Sequence, residues 1–263
     1  MEGKQYRTGI VLSGGGARGF AHLGVLQALN EAGIYPDIIS GTSAGAIAGA
    51  LYCDGNTPRK ILKTMKLNSR LDYMRPSFPR DGLMQISGIV KILEANLKAK
   101  KFEDLKIPLV VTATDLNNGK PVYFSSGELI TSVIASSSIP VLFKPVIIDN
   151  IYYVDGGVLD NLPIKPIEDK CNLLIGSFVN PVGYEETTSG LITIAIRTLM
   201  LNQAKEAFEK RKKFDILIAP SSLTKFGILE AEKADDIYEM GYDKTKERLK
   251  DQEVQRIISE KLG

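Results

Sequence analysis

Half of the 24 glycines in this 263-residue chain lie within the first 55 positions, clustered where two short apolar runs end. Thr8–Leu12 (TGIVL) is brief, β-branched and closed by glycines, the pattern of a buried strand. Phe20–Ala32 then reads as a helix stopped by Gly33. Asp37–Ser40 is a second short strand. Ala44–Cys53 (AGAIAGALYC) is a helix apolar on all sides, hence a buried one. A β-α-β-α start of this kind belongs to a largely parallel sheet covered by helices, a three-layer α/β/α fold.

The rest of the chain continues the pattern. Helices are predicted over Arg59–Lys66, Gln85–Lys98, Leu129–Ser138, Gly190–Lys210, Ala231–Lys250 and Glu253–Lys261. Strands are predicted over Pro108–Thr114, Pro121–Phe124, Leu173–Val179 and Ile216–Ala219. Val146–Val154 reads as a hairpin around Asp149-Asn150. Asn68–Met84 has large apolar residues among prolines but no period. It is either a mobile cover that meets lipid surfaces or a loop pinned on the core. With no repeat and no linker-like tract, the expectation is a single domain over 1–263.

Composition removes whole classes of function. Lys plus Arg is 33 and Asp plus Glu is 31, so a net charge of +2 gives no general pull toward nucleic acid. One histidine, His22, and two cysteines, Cys53 and Cys171, cannot build an ordinary zinc site. Two separated cysteines form no disulfide framework and fit a reducing cytoplasm. The first residues lack an apolar signal core, and the uncharged stretches Ile38–Cys53 and Leu129–Phe143 fall short of the ~20 residues of a spanning helix. The expectation is a soluble cytoplasmic protein, peripheral at the membrane at most.

Two glycine clusters carry the chemistry. Ser13-Gly14-Gly15-Gly16-Ala17-Arg18-Gly19 turns a strand into a helix, where backbone N–H groups can converge on an anion. It also fits the dinucleotide fingerprint, but Asp37 sits at the wrong end of the second strand for that use. Gly41-Thr42-Ser43-Ala44-Gly45 is a G-x-S-x-G sequence between strand and helix, the setting of a nucleophile elbow. A serine nucleophile needs a base. His22 precedes the serine and lies inside a helix, where its plainer reading is a packed residue with a satisfied ring. The other candidate is a carboxylate. Asp155 ends a strand and precedes Gly156-Gly157, although Asp-Gly is also a common turn. A histidine base would switch activity on near pH ~6.5; a carboxylate would do so lower unless burial raised its pKa.

Taken in order, Gly14-Gly15-Gly16-Ala17-Arg18-Gly19, Gly41-Thr42-Ser43-Ala44-Gly45 and Asp155-Gly156-Gly157 resemble the motifs of the patatin-like phospholipases. The resemblance runs from Gly9 to about Asn180. It implies a dyad without histidine, with Ser43 as nucleophile and Asp155 as base. It also implies an oxyanion hole built by Gly14, Gly15, Gly16 and Arg18. The expected activity is hydrolysis of a phospholipid or lysophospholipid ester through an acyl-enzyme, with no metal or organic cofactor and transient contact with a membrane surface. An acyltransferase using the same acyl-enzyme, or a non-catalytic module that binds a phosphate or nucleotide, stays open. Arg59, Lys60, Lys63 and Lys66 could meet anionic lipid, or simply form a solvated helix face. Ser136-Ser137-Ser138 could line the site entrance, or merely end a helix.

Overall fold

The computed structural model describes residues 4–72, 86–185 and 189–263. Its strands are β1 (Tyr6–Leu12), β2 (Ile38–Thr42), β3 (Leu109–Asp115), β4 (Lys120–Phe124), β5 (Val146–Ile148), β6 (Ile151–Asp155), β7 (Cys171–Ser177) and β8 (Ile216–Ile218). They form one sheet in the order β5-β6-β3-β2-β1-β7-β8, with β4 also paired to β3. The run β3-β2-β1-β7-β8 is parallel. The strands β4, β5 and β6 add antiparallel pairs at one side. The helices are α1 (Phe20–Glu31), α2 (Ala44–Cys53), α3 (Pro58–Asp72), α4 (Ser87–Asn96), α5 (Leu129–Ser136), α6 (Leu191–Lys210), α7 (Ala234–Leu249) and α8 (Gln252–Leu262). None of the described helices is long and apolar enough to cross a membrane.

Both faces of the parallel strands are buried, and period-two alternation divides them. Ile10, Leu12, Ile39, Leu109, Val111, Leu173 and Ile175 enter one core with α1, α2, α5 and α7. The intervening Val11, Ile38, Val110 and Leu174 enter a second core with Leu162, Ile164, Ile167 and Ala207 of α6. The result is the three-layer α/β/α arrangement that the sequence implies. The expected hairpin is also present: Asp149 and Asn150 take φ of 49° and 64° between β5 and β6. Two left-handed residues match the twist of the flanking strands.

One departure concerns α3. It continues beyond Lys66 to Asp72, so the first part of the expected irregular Asn68–Met84 stretch is helical. The remainder, 73–85, lies outside the described residues.

The layout of β3 positions the site. Its 111–115 span pairs with β4 along one edge. The other edge is shared. Up to Thr112 it pairs with parallel β2, and from Ala113 to Asp115 it pairs with antiparallel β6. The two strands run toward each other and end face to face, at Thr42 opposite Thr112 and Asp155 opposite Ala113. The residue after β2 is Ser43, so the topology brings it beside Asp155.

Helices α1 and α7 cross at contact distance. A Cβ on Gly24 would stand 2.0 Å from the Tyr238 carbonyl oxygen, and one on Gly241 would stand 2.1 Å from that of Ala21. Neither neighbour is a flexible tip, so both glycines are required by close approach. Gly241→Ala should therefore lower stability by about 1–3 kcal/mol, the usual cost of overpacking, measured by denaturant unfolding. A stability equal to that of the parent would contradict this account of the crossing.

Candidate active site

Ser43 joins β2 to α2 with φ 53° and ψ −120°, a backbone conformation that side-chain-bearing residues rarely adopt. The two motif glycines make the turn sterically feasible. A Cβ on Gly41 would meet the Gly45 carbonyl carbon at 2.7 Å, and one on Gly45 would meet the Leu12 oxygen at 2.3 Å. The Ser43 N–H donates to Ser136 Oγ at 2.8 Å, and that hydroxyl donates onward to the Thr112 oxygen at 2.6 Å. Ser136 thus pins the elbow to β3 as well as ending a helix.

Asp155 closes β6. Its N–H donates to the Ser138 oxygen at 2.9 Å, and its Oδ1 accepts from the Gly157 N–H at 2.7 Å. Burial pushes its pKa up to about 6, while hydrogen bonds from the Ser43 hydroxyl and the Gly157 N–H pull the other way. The serine hydroxyl and the carboxylate are therefore partners in a nearly dry setting, with the two residues only 5% and 3% exposed.

Two cavities meet at Ser43. One, of about 110 Å³, is lined almost wholly by apolar groups, among them Phe20, Leu23, Ile47, Ile92, Phe143 and Leu229. The other, of about 20 Å³, is the more polar of the two, with a lining divided between polar and apolar groups, and has room for about one water molecule. Ser43, Asp155, Asn161, Asn180 and Gln203 line it, with Gly14, Gly15 and Gly16. Sequence reasoning missed Asn161, Asn180 and Gln203, because none stands in a motif that signals chemistry. Helix α6 closes this cavity with Ile196, Leu199, Met200 and Gln203.

The glycine loop is held in place rather than free. Gly16 takes φ +56°, and a Cβ there would lie 2.3 Å from the Ile228 oxygen. The Gly14 N–H is committed to the Asn161 oxygen at 3.2 Å. The N–H groups of Gly15 and Gly16 have no acceptor among the described residues. Arg18 lines neither cavity. Its buried guanidinium donates to the Phe226 oxygen at 2.7 Å, and to Asn180 Oδ1 and the Pro181 oxygen, each at 3.0 Å.

His22 is fully buried under the start of this loop. Its Nε2 is 2.8 Å from the Ser13 oxygen and its Nδ1 is 2.8 Å from Ser177 Oγ. A carbonyl can only accept, so Nε2 carries the proton and Nδ1 accepts from the serine hydroxyl. Burial lowers the His22 pKa to about 4, which keeps the ring neutral at ordinary pH. Both ring nitrogens are thus occupied away from Ser43, as the plainer reading expects. The two pKa values also reverse the simple pH criterion: a transition near pH 6 belongs to Asp155, and one near pH 4 to His22.

A serine on a strand–helix elbow, a buried carboxylate beside it and a neighbouring apolar cavity are the parts from which serine acyl hydrolases in general are built. The model of the family described as patatin-like phospholipase matches residues 10–167, and the chain belongs to that family. An uncharacterized NTE family protein of Mycobacterium tuberculosis is 36% identical over 163 residues, covering 61% of this chain and 45% of the relative. Lysophospholipase nte1 of Emericella nidulans is 31% identical over 278 residues, covering 92% of this chain but 18% of the relative. The chain therefore spans under half the length of these relatives. The crystal structure of VipD from Legionella pneumophila shares the fold at a TM-score of 0.54 and 16% identity, over 94% of this chain and 67% of that one.

The raised Asp155 pKa is also a statement about stability. Against an ordinary 3.8, a folded value of about 6 disfavours the ionised, buried form by roughly 3 kcal/mol. For a raised carboxylate, the stability tied to the proton is present below the unfolded pKa and lost as pH rises through the folded one. Asp155→Asn should therefore melt above the parent at pH 7–8 and lose that advantage below pH ~4. A melting difference that does not change with pH would show that Asp155 titrates normally.

Proposed function

We propose that the chain hydrolyses an acyl ester of a phospholipid or lysophospholipid through a Ser43–Asp155 dyad. The observation that carries the proposal is the meeting of the Ser43 elbow and the buried Asp155 carboxyl, which line one cavity at its junction with an apolar one. The name of the Emericella nidulans relative, lysophospholipase, supports the substrate class.

The acyl chain lies in the apolar cavity and presents its carbonyl to Ser43. Asp155 takes the hydroxyl proton as Oγ attacks, then gives it to the departing alcohol. The oxyanion meets the N–H groups of Gly15 and Gly16, with the N-terminus of α2 beside it. Gly14 contributes by close approach: a Cβ there would lie 2.5 Å from Asn161 Oδ1 and 3.3 Å from Ser43 Cβ. Arg18 acts through the loop, holding it against the 180–181 and 226 segments. Water then enters, Asp155 removes its proton, and the acyl group leaves as a carboxylic acid. No metal or organic cofactor takes part in these steps.

A fluorophosphonate probe should label Ser43, and Ser43→Ala and Asp155→Asn should each lose nearly all turnover on a lysophospholipid. His22→Gln should remain active per folded molecule, and kcat/KM should rise with pH through about 6. A folded His22→Gln protein as inactive as Asp155→Asn would overturn the dyad.

Contact with a lipid surface is part of the same proposal. Helix α6 covers the polar cavity with one face and leaves Leu191 and Ile194 exposed on another, Leu191 at 89%, with Ile192 part-exposed at its N-terminal end. Arg197 ties Gly183 and Glu185 to this helix, which sets the exposed Tyr184 nearby. Such a patch beside a lipid-ester site fits insertion into an interface. Leu191→Ser with Ile194→Ser should cut activity on phospholipid vesicles at least severalfold, with activity on a soluble short-chain ester unchanged. Equal losses on both substrates would refute the contact.

A further inference from the structure

Three carboxamides line the polar cavity, and they differ in one respect. Asn180 is fully engaged: its Oδ1 accepts from Arg18 and its Nδ2 donates to Gln203 Oε1 at 2.5 Å. Gln203 is engaged at both ends as well, donating from Nε2 to the Gly157 oxygen at 3.0 Å. Asn161 is completely buried, yet neither its Nδ2 nor its Oδ1 has a partner among the described residues. An unpaired buried amide is costly and uncommon in native proteins.

The backbone of Asn161 is the reverse of free. Its carbonyl accepts from the Gly14 N–H, and its own N–H donates to Glu206 Oε2 at 3.0 Å. Glu206 is fixed by Lys210, which also holds Asp160. The clamp sets the unpaired amide against Gly14 and Gly157, in a space of about 20 Å³ shared with Ser43 and Asp155. That space suits one oxygen atom.

We propose that the Asn161 carboxamide positions the oxygen that crosses this cavity in both halves of the reaction: the ester's alkoxy oxygen leaving in acylation, and the water entering in deacylation. The proposal rests on the Ser43–Asp155 reading. By microscopic reversibility the two oxygens occupy one place, since each is bonded to the same carbon and exchanges a proton with the same base. In acylation the bond from the acyl carbon to the alkoxy oxygen breaks. Nδ2 donates a hydrogen bond to that oxygen while Asp155 delivers the Ser43 proton to it. In deacylation a water oxygen bonds to the acyl carbon. One water proton passes to Asp155 and the other is held by Oδ1, and the Asp155 proton returns to Ser43 Oγ as the acyl bond to serine breaks. An amide presents both a donor and an acceptor, and the two halves require one of each.

The test uses p-nitrophenyl butyrate, whose leaving group needs little help, so that acylation is spared and deacylation exposed. Asn161→Leu should release a burst of about one p-nitrophenol per protein and then turn over about 10- to 100-fold more slowly than the parent, the scale of one lost positioning hydrogen bond. Intact mass should show a butyryl group on Ser43. Its melting temperature should equal or exceed that of the parent, because an unpaired polar group has been removed. Asn161→Asp adds a charge beside Asp155 and should move the acid limb of kcat/KM to higher pH. Turnover of Asn161→Leu within threefold of the parent, a lowered melting temperature with burst and steady state falling together, or an unmoved limb in Asn161→Asp would each overturn the proposal. Ser43→Ala run in parallel separates the two levels: a burst that survives it would refute the dyad itself, whatever Asn161 does.

Discussion

Along one edge of β3 the pairing changes from β2 to β6 between Thr112 and Ala113, and the meeting of Ser43 with Asp155 depends on that change. In a purely parallel sheet the strand carrying Asp155 would run alongside β2 and present its end one strand away. An antiparallel strand on a fresh edge would present its end at the opposite side of the sheet. Because β6 begins beyond the point where β2 stops and runs back toward it, the two C-terminal ends converge. The chain must then leave Asp155 across the junction it has just closed. A Cβ on Gly156 would lie 2.2 Å from the Thr112 oxygen and 3.1 Å from Thr42 Cγ2, so glycine is required where the path passes over both strands. The glycines after the aspartate are a consequence of this meeting of strands.

Convergence alone would leave the site loose, and a chain of hydrogen bonds prevents this. Arg18 reaches Asn180, Asn180 reaches Gln203, and Gln203 reaches the Gly157 oxygen. The glycine loop, the end of β7, helix α6 and the Asp155 turn are thereby joined. On the far side of the same turn, Lys210 bridges Asp160 and Glu206, and Tyr123 donates to Asp160 Oδ2 at 2.7 Å. Helix α6 enters both connections, through Gln203 and through Glu206 and Lys210. It serves as a fixed wall of the cavity on one face, while Leu191 and Ile194 lie on another. A network this fully satisfied rigidifies its members, which is what holding an oxygen-sized space open requires.

Much of this was legible in the sequence where local chemistry decides the outcome. Short apolar, β-branched runs identified the buried strands, and Asp149-Asn150 identified a two-residue turn that demands left-handed backbone. The G-x-S-x-G turn was legible from its place between a strand and a helix, whereas Asp155-Gly156-Gly157, which could equally be a common turn, drew its meaning from the three motifs taken together. What could not be read depends on pairings far apart in the chain. Nothing in Ile151–Asp155 says that the strand will take over an edge begun by β2. Helix α6 is apolar around much of its N-terminal half, so its pattern does not say which side covers the site. Arg18 finds acceptors more than 160 residues away, which no spacing rule anticipates. Asn161 resembles any polar residue following a turn; its distinction is the lack of a partner, a property of the folded chain alone.

The costs of this arrangement fall in one small volume. Ser43 holds a strained backbone, Asp155 is buried in a form that burial disfavours, and Asn161 keeps an unpaired amide beneath the surface. Each departs from what stability alone would select, and each lies on the lining of the same polar cavity. Among the neighbouring groups, His22, Asn180 and Gln203 are satisfied at both ends, whereas the buried Thr112 hydroxyl also has no partner among the described residues. Single departures occur elsewhere as well, at the Tyr238 hydroxyl in the core, also unpaired among the described residues, and at Val141 with φ 73°, but around Ser43 three of them share one lining. In the proposed reaction an incoming carbonyl and an incoming oxygen would supply the hydrogen bonds that this lining leaves unmade.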